Sequence, residues 1–314
     1  MGGWHLIARS PPPVYIRPAR PRDLAACSRV CHRALRDLSR RQGLPPPRFR
    51  PRDLLPFLRH ALATDPKGFY VAVSRGKVVC YAITILREKT HFLAQFFALP
   101  GTQSRGIGRQ VLTRAFEAPR PPRGATRCLV ASLDLRAQSL YLKFGMSPRT
   151  IMYYLSGKPR AVPQGDELEL RQVGPTGRVS PRARDLAARF DRVLREARRD
   201  VDHRFWFSSS KGTRCFEARL RGQTVGYILV RGNGVIGPGG VRDPRLSEPL
   251  MSAAIAKARD LGLKKVLVWV PGLNEGALRA AFAAGLKVEF LTVWMSSRDL
   301  GVLASYIPSG GVLF

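Results

Sequence analysis

A loop that carries glycines and arginines follows a short aromatic run near the middle of the first half of the chain. Residues 92–98 (FLAQFFA) predict a buried strand, and the helix-spaced apolar residues after Gly108 predict an amphipathic helix. A helix that begins after such a loop presents unpaired backbone N–H groups, and its dipole adds positive charge there. Gly106 can adopt a positive φ, and neither glycine has a Cβ to keep an anion away from the backbone. Arg105 and Arg109 add charge, so the loop is predicted to bind a diphosphate.

The same loop resembles motif A of the GNAT N-acetyltransferase superfamily. That motif reads Gln/Arg-x-x-Gly-x-Gly/Ala and follows a strand that ends Val-x-Pro. Residues 103–108 (QSRGIG) and Pro100 fit it, although Ala98 stands where the family often has Val. The alternatives are a glycine turn without a ligand and a Rossmann-type dinucleotide loop. The Rossmann loop needs Gly-x-Gly-x-x-Gly directly after the strand, a string that this segment lacks.

The resemblance implies that acetyl-CoA is the cofactor and that main-chain N–H groups of the loop hold its pyrophosphate. It also places the end of the preceding strand beside the pantetheine, where one strand N–H would polarise the thioester carbonyl. The cofactor-binding residues that follow from the resemblance are Ala98, Leu99, Gln103, Ser104, Arg105, Gly106, Ile107, Gly108, Arg109 and Asp134.

A second segment, residues 134–145 (DLRAQSLYLKFG), is similar to another pattern of this family, Asn/Asp-x-x-Ala-x-x-x-Tyr-x-x-x-Gly. The resemblance implies that Tyr141 is the catalytic residue, a general acid that protonates the departing thiolate after direct attack by an amine. Packing beside Leu140 and Phe144 is the alternative role for Tyr141. Asp134 occupies the first position of the pattern and equally fits a residue that anchors a turn.

The general base and the acceptor are not determined by the sequence. Glu88 and His91 lie at the strand turn that borders the substrate side in this fold, but a surface position suits either residue. A small amine, an aminoglycoside-like compound, a peptide N-terminus and a protein lysine all remain open as acceptors.

The predicted elements of the first half match the order of the GNAT fold over about residues 15–157. They are a strand, two helices, further strands, the motif A helix, a strand, a helix and a last strand. The fold class implied is α/β (α+β), with two tandem GNAT folds, each a mixed, mostly antiparallel central sheet flanked by helices. The predicted boundaries are a flexible arm at 1–12, a first domain at 13–158, a linker at 159–166 and a second domain at 167–314.

A repeat along the chain supports the second domain. RGKVVCY at 75–81 recurs as RGQTVGY at 221–227, an offset of 146, and two further matches have offsets of 139 and 140: Val111-Leu112 with Leu250-Met251, and Gly145-Met146 with Gly285-Leu286. Near-constant offsets indicate a duplicated fold.

The second copy lacks the residues of the motif A loop. Residues 242–247 (RDPRLS) align with 103–108, so both glycines are missing, Pro244 removes an N–H donor and Asp243 would repel phosphate. Ala281 aligns with Tyr141. We therefore expect an active first domain and a degenerate second one.

Two further expectations concern the degenerate domain. It is expected to shape or cover the acceptor side of the first domain, which its tail at 306–311 would reach. Its Arg/Ala-rich helix at about 182–199 is expected to be a solvated face rather than a nucleic-acid arm.

Charge is the most unusual compositional feature. The 53 basic and 22 acidic residues give 53 − 22 = +31, far more than the phosphates of one coenzyme A can account for. Nucleic acid is thus compatible as a partner but is not favoured, because the arginines are spread along the chain and no aromatic-plus-basic RNA motif occurs. Codon bias is the explanation of the arginine content that involves no binding partner.

The remaining features of the composition concern the cysteines, membrane contact and the cellular compartment of the protein. Five cysteines without a second Cys/His pair at ligand spacing favour buried thiols over disulfides or a metal site. No run of eighteen uncharged apolar residues and no signal-peptide pattern occurs, so we expect a cytoplasmic protein without membrane contact. The oligomeric state is not predicted. The function expected is acetyl transfer from acetyl-CoA to an amine; the alternative is a non-catalytic CoA-binding or arginine-rich nucleic-acid-binding protein on a GNAT scaffold.

Overall fold

The computed structural model describes residues 13–102, 106–162 and 168–314. The predicted arm at 1–12 and part of the predicted linker therefore lie outside the described residues. The chain forms two compact units, which we call unit 1 (residues up to 83, and 95–119) and unit 2 (residues 84–94 and 120–314). The chain passes between the units within two strands, so the units do not coincide with the two repeats along the sequence.

Unit 1 consists of antiparallel strands and three α-helices of the first repeat, α1 to α3. Its elements are β1 (Val14–Pro18), α1 (Leu24–Arg41), α2 (Leu55–Thr64), β2 (Phe69–Ser74), the first part of β3 (Lys77–Arg87), the last part of β4 (Thr90–Ala98) and α3 (Ile107–Glu117). Strand β2 pairs with β1 and β3. The apolar face predicted for α1 is buried through Leu24, Cys27, Val30 and Cys31.

Unit 2 contains the rest of the first repeat and the whole of the second. Its elements from the first repeat are β5 (Thr126–Ala131), α4 (Leu135–Lys143) and β6 (Ser147–Gly157), with residues 84–94 of β3 and β4. Those from the second repeat are β7 (Leu168–Gln172), α5 (Pro181–Leu194), α6 (Asp200–Ser209), β8 (Arg214–Leu220), β9 (Gln223–Val230), β10 (Val235–Val241), α7 (Ser247–Asp260), β11 (Val266–Pro271), α8 (Glu275–Ala283), β12 (Lys287–Ser296) and β13 (Tyr306–Ile307). The mixed, mostly antiparallel sheet flanked by helices confirms the predicted fold class.

The two repeats adopt matching local structures. The tight turn before β3 has positive φ values of 48° at Arg75 and 71° at Gly76, and the turn before β9 has 48° at Arg221 and 79° at Gly222. Helices α4 and α8 both end at a glycine of positive φ, Gly145 or Gly285. These equivalences confirm the tandem duplication that the sequence offsets predict.

The last strands of the two repeats are exchanged within unit 2. Strand β6 of the first repeat pairs with β11 of the second, and β12 of the second repeat pairs with β5 of the first. Strands β6 and β12 also pair with each other over ten residues of β12, from Lys287 to Ser296. Each repeat thus supplies a strand whose hydrogen-bond partners come from the other repeat, which no repeat offset in the sequence reveals.

Two expectations about side chains have opposite outcomes. All five cysteines are free and buried, as predicted, and burial raises the pKa of Cys31, Cys80, Cys128 and Cys215 to about 12. The solvated helix predicted at 182–199 is wrong in its second part, because α5 ends at Leu194 and Arg195 and Arg199 are only 1% and 3% exposed. Among the described residues, no helix is both long and apolar enough to cross a bilayer.

Candidate functional site

At the end of strand β4, in unit 1, one edge of the strand is hydrogen-bonded to the neighbouring strand β3. The Leu99 N–H donates to the Val79 carbonyl of β3 at 2.8 Å. Successive residues of a strand point their amides to opposite edges, so the Ala98 N–H faces away from β3. A tight turn follows, in which Thr102 N and Oγ1 donate to the Leu99 carbonyl at 3.1 and 2.7 Å and Gly101 has a φ of +82°.

Helix α3 begins with a backbone N-terminus whose first amides have no hydrogen-bond partner among the described residues, and in this sense we call it open. Gly106 is the N-cap with a φ of +73° and a ψ of −9°, a left-handed conformation that favours glycine. The first helical hydrogen bond is Gln110 N to the Gly106 carbonyl at 3.1 Å, so the helix itself does not use the amides of Ile107, Gly108 and Arg109. No described side chain caps this end and the first turn contains no acidic residue, so its field stays positive.

The two glycines of the loop serve different purposes. Among the described residues, a Cβ on Gly106 would have only Gln110 Nε2, 4.0 Å away, as a neighbour, so the positive φ, and not packing, favours glycine here. A Cβ on Gly108 would lie 2.9 Å from Cζ of Phe96 on β4. Gly108 therefore lets α3 pack closely on the strand, a role that the sequence analysis missed.

Burial of one face fixes α3 within unit 1. Val111, Leu112, Ala115 and Phe116 are at most 1% exposed, whereas Gly106 and Arg109 are exposed. The predicted residues Ala98, Leu99, Gly106, Ile107, Gly108 and Arg109 are thus brought together at one end of unit 1. Gln103, Ser104 and Arg105, also predicted to bind the cofactor, lie outside the described residues.

A buried polar pair lies beside this strand and was not predicted. The Tyr81 hydroxyl of β3 donates to Gln95 Oε1 of β4 at 2.7 Å, and the Tyr81 ring lies between Phe69 and Phe97. Burial, with nearby Cys31 and Cys27, raises the pKa of Tyr81 well above its usual value, so the phenol stays protonated. Gln95, the one polar residue in the run FLAQFFA, was the sequence signal that could have indicated this pair.

Tyr141 and Asp134 lie in unit 2, on helix α4 and at its start. Asp134 is the N-cap, since its Oδ1 accepts from Arg136 N at 3.0 Å, and its carboxylate pairs with the Arg136 guanidinium at 3.2 Å. This geometry supports the turn-anchoring role for Asp134. Tyr141 is 6% exposed on the buried face of α4.

The candidate bases Glu88 and His91 lie at the beginning of β4, whereas Ala98 is its last residue. Glu88 is exposed in the β3–β4 turn with a φ of 50°. His91 is fully buried; burial, together with Arg127, lowers its pKa to about 4. It is neutral near pH 7, and a conjugate acid this strong makes a poor proton acceptor.

The equivalent loop of the second repeat uses its amides internally. Asp243 Oδ1 accepts from Arg245 N at 3.0 Å, Leu246 N donates to the Asp243 carbonyl at 3.0 Å, and Asp243 pairs with the Arg245 guanidinium at 2.7 Å. Ser247, the first residue of α7, is buried and its hydroxyl donates to the Ala304 carbonyl at 3.3 Å. The backbone donors that are open before α3 are therefore engaged before α7.

The free edge of β10 is taken by the segment after β12. Strand β10 pairs with β11 only at Val235 and Ile236, and beyond that point Gly239 and Gly240 pair with Ile307 and Tyr306 of β13. Asn274, at the start of α8, donates to the Tyr306 carbonyl at 3.2 Å. The tail expected to reach the first repeat thus lies on β10 of the second, although Phe314 also stacks on Phe92 of β4, with ring centroids 6.1 Å apart.

The chemistry available at the start of α3 is recognition of an anion by main-chain donors. An open N-terminus, a left-handed glycine cap and the absence of an acid in the first turn fit a diphosphate. No group of three or more His, Cys, Asp or Glu side chains in the described part of the chain is placed to hold a metal ion.

Comparisons with known proteins agree with this geometry. Residues 33–146 match the model of the acetyltransferase (GNAT) family. No curated protein matches the sequence. Among solved structures, a putative acetyltransferase from Pyrococcus horikoshii is similar over 100% of this chain and 99% of its own, with a TM-score of 0.73 and 18% identity.

Two further solved structures are similar over most of the chain. A GCN5-related N-acetyltransferase from Sphaerobacter thermophilus covers 92% of this chain and 97% of its own, with a TM-score of 0.64 and 17% identity. A tandem GNAT protein from the clavulanic acid biosynthesis pathway covers 91% and 99%, with a TM-score of 0.53 and 18% identity. At these identities the likeness shows a shared fold.

Proposed function

We propose that the protein is an N-acetyltransferase that moves the acetyl group of acetyl-CoA directly to a primary amine, and the match of residues 33–146 to the acetyltransferase (GNAT) family model supports this. The observation that carries this proposal is the open N-terminus of α3 behind Gly106. It supplies the main-chain donors and the positive field that a pyrophosphate requires.

The residues of unit 1 bind and orient the thioester in this proposal. The N–H groups of Ile107, Gly108 and Arg109 hold the pyrophosphate, with Gln103, Ser104 and Arg105 assigned by the motif alone. The Ala98 N–H faces away from β3 and polarises the thioester carbonyl, whereas the Leu99 N–H is already bonded to Val79. Acetyl-CoA itself supplies the activated acetyl group.

Tyr141 is proposed as the group that donates a proton to the departing thiolate. A phenol of ordinary pKa near 10 and a thiol near 8.5 make this transfer uphill by about 2 kcal/mol, so positioning of the reactants contributes more to the rate than the acid does. Neither Glu88 nor His91 is assigned as base, because Glu88 is a turn residue at the far end of β4 and His91 is a buried, weakly basic imidazole.

The binding part of the proposal is tested with one matched pair of variants. Gly106→Glu puts a carboxylate where the pyrophosphate binds and strains the left-handed cap, so acetyl-CoA should no longer raise the melting temperature. Arg245→Glu changes an exposed residue of the equivalent second loop and should leave that stabilisation intact. Equal behaviour of the two variants would reject the assignment of the cofactor to the first loop.

The catalytic part is tested by release of free CoA from acetyl-CoA in the presence of a panel of amines. The panel contains a small diamine, an aminoglycoside, a peptide with a free N-terminus and a lysine-containing peptide with a blocked one. Amine-dependent CoA release that is lost in Gly106→Glu supports the proposal. Binding of acetyl-CoA without release by any amine would favour a non-catalytic scaffold.

A further inference from the structure

A basic groove opens in unit 2 at the end of β6. Its volume is about 680 Å³. Glycine and proline backbone forms much of its wall, and Arg160 lies across Gly285, where an added Cβ would be 2.9 Å from Arg160 Cδ. Four exposed cations line it: Lys158, Arg160, Arg259 and Lys287.

The four cations of this groove are not neutralised within the described part of the chain. No carboxylate there lies within ion-pair distance of any of them, and no carboxylate lines the groove. The nearby Glu289 accepts from Ser156 Oγ, on the groove wall, at 2.5 Å and pairs with Lys265, a lysine outside the groove lining, at 3.7 Å. Among the described residues, the groove therefore presents four cations to solvent without a carboxylate partner.

Three aromatic rings lie next to the groove, on β6, β11 and β12. Tyr154 of β6 is directly opposite both Trp269 of β11 and Phe290 of β12. The Tyr154 ring stacks on Phe290 with centroids 4.6 Å apart and meets Trp269 edge-on at 5.3 Å. Phe290 remains 41% exposed and the other two rings are half-buried, so part of this aromatic row faces solvent.

The rings and the groove share one face of the sheet. Tyr154 and Ser156 are two residues apart on β6, which puts them on the same face about 7 Å apart along the strand. Lys287 is opposite Ser156 as Phe290 is opposite Tyr154. Aromatic stacking platforms beside a row of cations are the arrangement by which proteins hold single-stranded nucleic acid.

We propose that this face of unit 2 binds single-stranded nucleic acid. Its bases stack on the exposed ring of Phe290 and its neighbours, and its phosphates lie along Lys158, Arg160, Arg259 and Lys287. Stacking and phosphate contacts do not depend on the base sequence, so binding is sequence-tolerant. The net charge of +31, which acetyl-CoA does not account for, is of the sign that attracts such a strand.

Two features decide against other polyanions. A duplex already stacks its bases on one another, so it gains nothing from the aromatic row. The aspartate and glutamate side chains of an acidic peptide have no flat rings to stack there. Arg259 lies in the last turn of α7, where its positive charge interacts favourably with the helix dipole. Lys158 lies outside the described helices, so it has no such role.

The experiment measures fluorescence anisotropy of a labelled 20-nucleotide oligo-uridine with the full chain at several salt concentrations. One variant replaces the four groove cations by glutamine. Its control replaces four exposed cations of unit 2 that have no carboxylate partner among the described residues: Arg171, Arg192, Arg204 and Lys211. Both variants lose the same net charge, and their melting temperatures report whether the fold is kept.

The groove variant should bind more weakly, with the slope of log K against log salt reduced by about 3, since four phosphate contacts are lost. The control should keep the slope of the unchanged protein. Phe290→Leu removes a stacking surface and should weaken binding by about 5-fold to about 150-fold. A blunt-ended duplex and poly-glutamate should compete poorly with the oligomer.

The proposal fails if the groove and control variants lose affinity equally, because binding is then a property of total charge. It also fails if Phe290→Leu has no effect, if poly-glutamate or the duplex competes as well as the single strand, or if the oligomer does not bind at physiological salt. Acetyl transfer is not involved in any of these measurements, so their outcome is independent of the proposed enzymatic function.

Discussion

The loop before α3 and the loop before α7 occupy equivalent positions in the two repeats but use their backbone amides in opposite ways. Before α3, a left-handed glycine ends the loop and the helix amides stay open. Before α7, Asp243 caps the amide of Arg245 and a short 3₁₀ turn uses that of Leu246. The comparison shows that a site of this kind is lost when the chain satisfies its own donors, as well as when ligand-binding residues change.

In the second repeat a strand edge, like the loop amides, is occupied by the chain itself. β10 separates from β11 after Ile236, and β13 takes the edge at Gly239 and Gly240. Gly240 is needed for this contact, since a Cβ there would lie 2.3 Å from the Ser305 carbonyl oxygen. The second repeat has thus filled with its own backbone the edge where the family resemblance would place pantetheine.

The largest expected difference between the two repeats is in acetyl-CoA binding, which we expect at the first loop and not at the second. Isothermal titration of the full chain with acetyl-CoA should saturate at one molecule per chain, because only the first loop has open donors. A stoichiometry of two would break the comparison, since it would require the second repeat to release β13 and the Asp243 cap. Gly106→Glu should abolish the single binding event.

The next largest difference should be in how much the buried polar centre of each repeat contributes to the free energy of unfolding. Fully buried Asp191 accepts two hydrogen bonds from Arg199 at 3.0 Å, one from Tyr227 at 2.6 Å, and lies 2.8 Å from His203 Nε2. Asp191→Asn leaves the Arg199 charge buried without its partner and should lower the free energy of unfolding by about 3–5 kcal/mol. Gln95→Leu, at the neutral centre of the first repeat, should cost about 1–3 kcal/mol.

The pH dependence of the Asp191 variant gives a second test. Burial alone would raise the pKa of Asp191, but Arg199 and His203 hold it well below its usual 3.8. A carboxyl with a depressed folded-state pKa stabilises the protein above its unfolded-state pKa, and that stability is lost as the pH falls toward the folded-state value. The deficit of Asp191→Asn, measured by urea unfolding, should be constant from pH 7 to about 5 and shrink below pH 4. A deficit unchanged at pH 3 would mean that the charge of Asp191 does not matter.

A third difference concerns turnover. Tyr141 of α4 corresponds to Ala281 of α8, and Tyr141→Phe keeps the ring while removing the acidic proton. We expect kcat to fall by about ten- to a thousand-fold, with the dissociation constant of acetyl-CoA unchanged within a few-fold. The deficit should shrink with amines whose attack limits the rate. Unchanged kcat with every accepted amine would leave Tyr141 a packing residue.

How far the sequence predicts this structure depends on how local the determining contacts are. The strand, glycine loop and α3 were predicted because periodicity and φ preferences act within a few residues. The sequence could not show the exchange of β6 and β12, because both positions satisfy the same alternating pattern and only long-range pairing distinguishes them. The burial of Arg195 and Arg199 was missed for a related reason. Arginine in a helix-like run usually faces water. Phe314, whose ring lies against Arg195 and whose carbonyl accepts from Arg199, comes from a distant part of the chain.

The smallest expected difference is between two tyrosines at equivalent positions of the repeated turn and strand. Tyr81 donates to a neutral amide, Gln95 Oε1, at 2.7 Å, whereas Tyr227 donates to the Asp191 carboxylate at 2.6 Å. Both rings are fully buried, so Tyr→Phe removes one hydroxyl from comparable surroundings. Hydrogen bonds to charged groups contribute about 1.5–3 kcal/mol and neutral ones about 0.5–1.5 kcal/mol. Tyr227→Phe should therefore lower the free energy of unfolding by about 1 kcal/mol more than Tyr81→Phe in parallel urea titrations. The reverse order would mean that Arg199 and His203 already satisfy Asp191, and that the charged centre of the second repeat does not depend on its tyrosine.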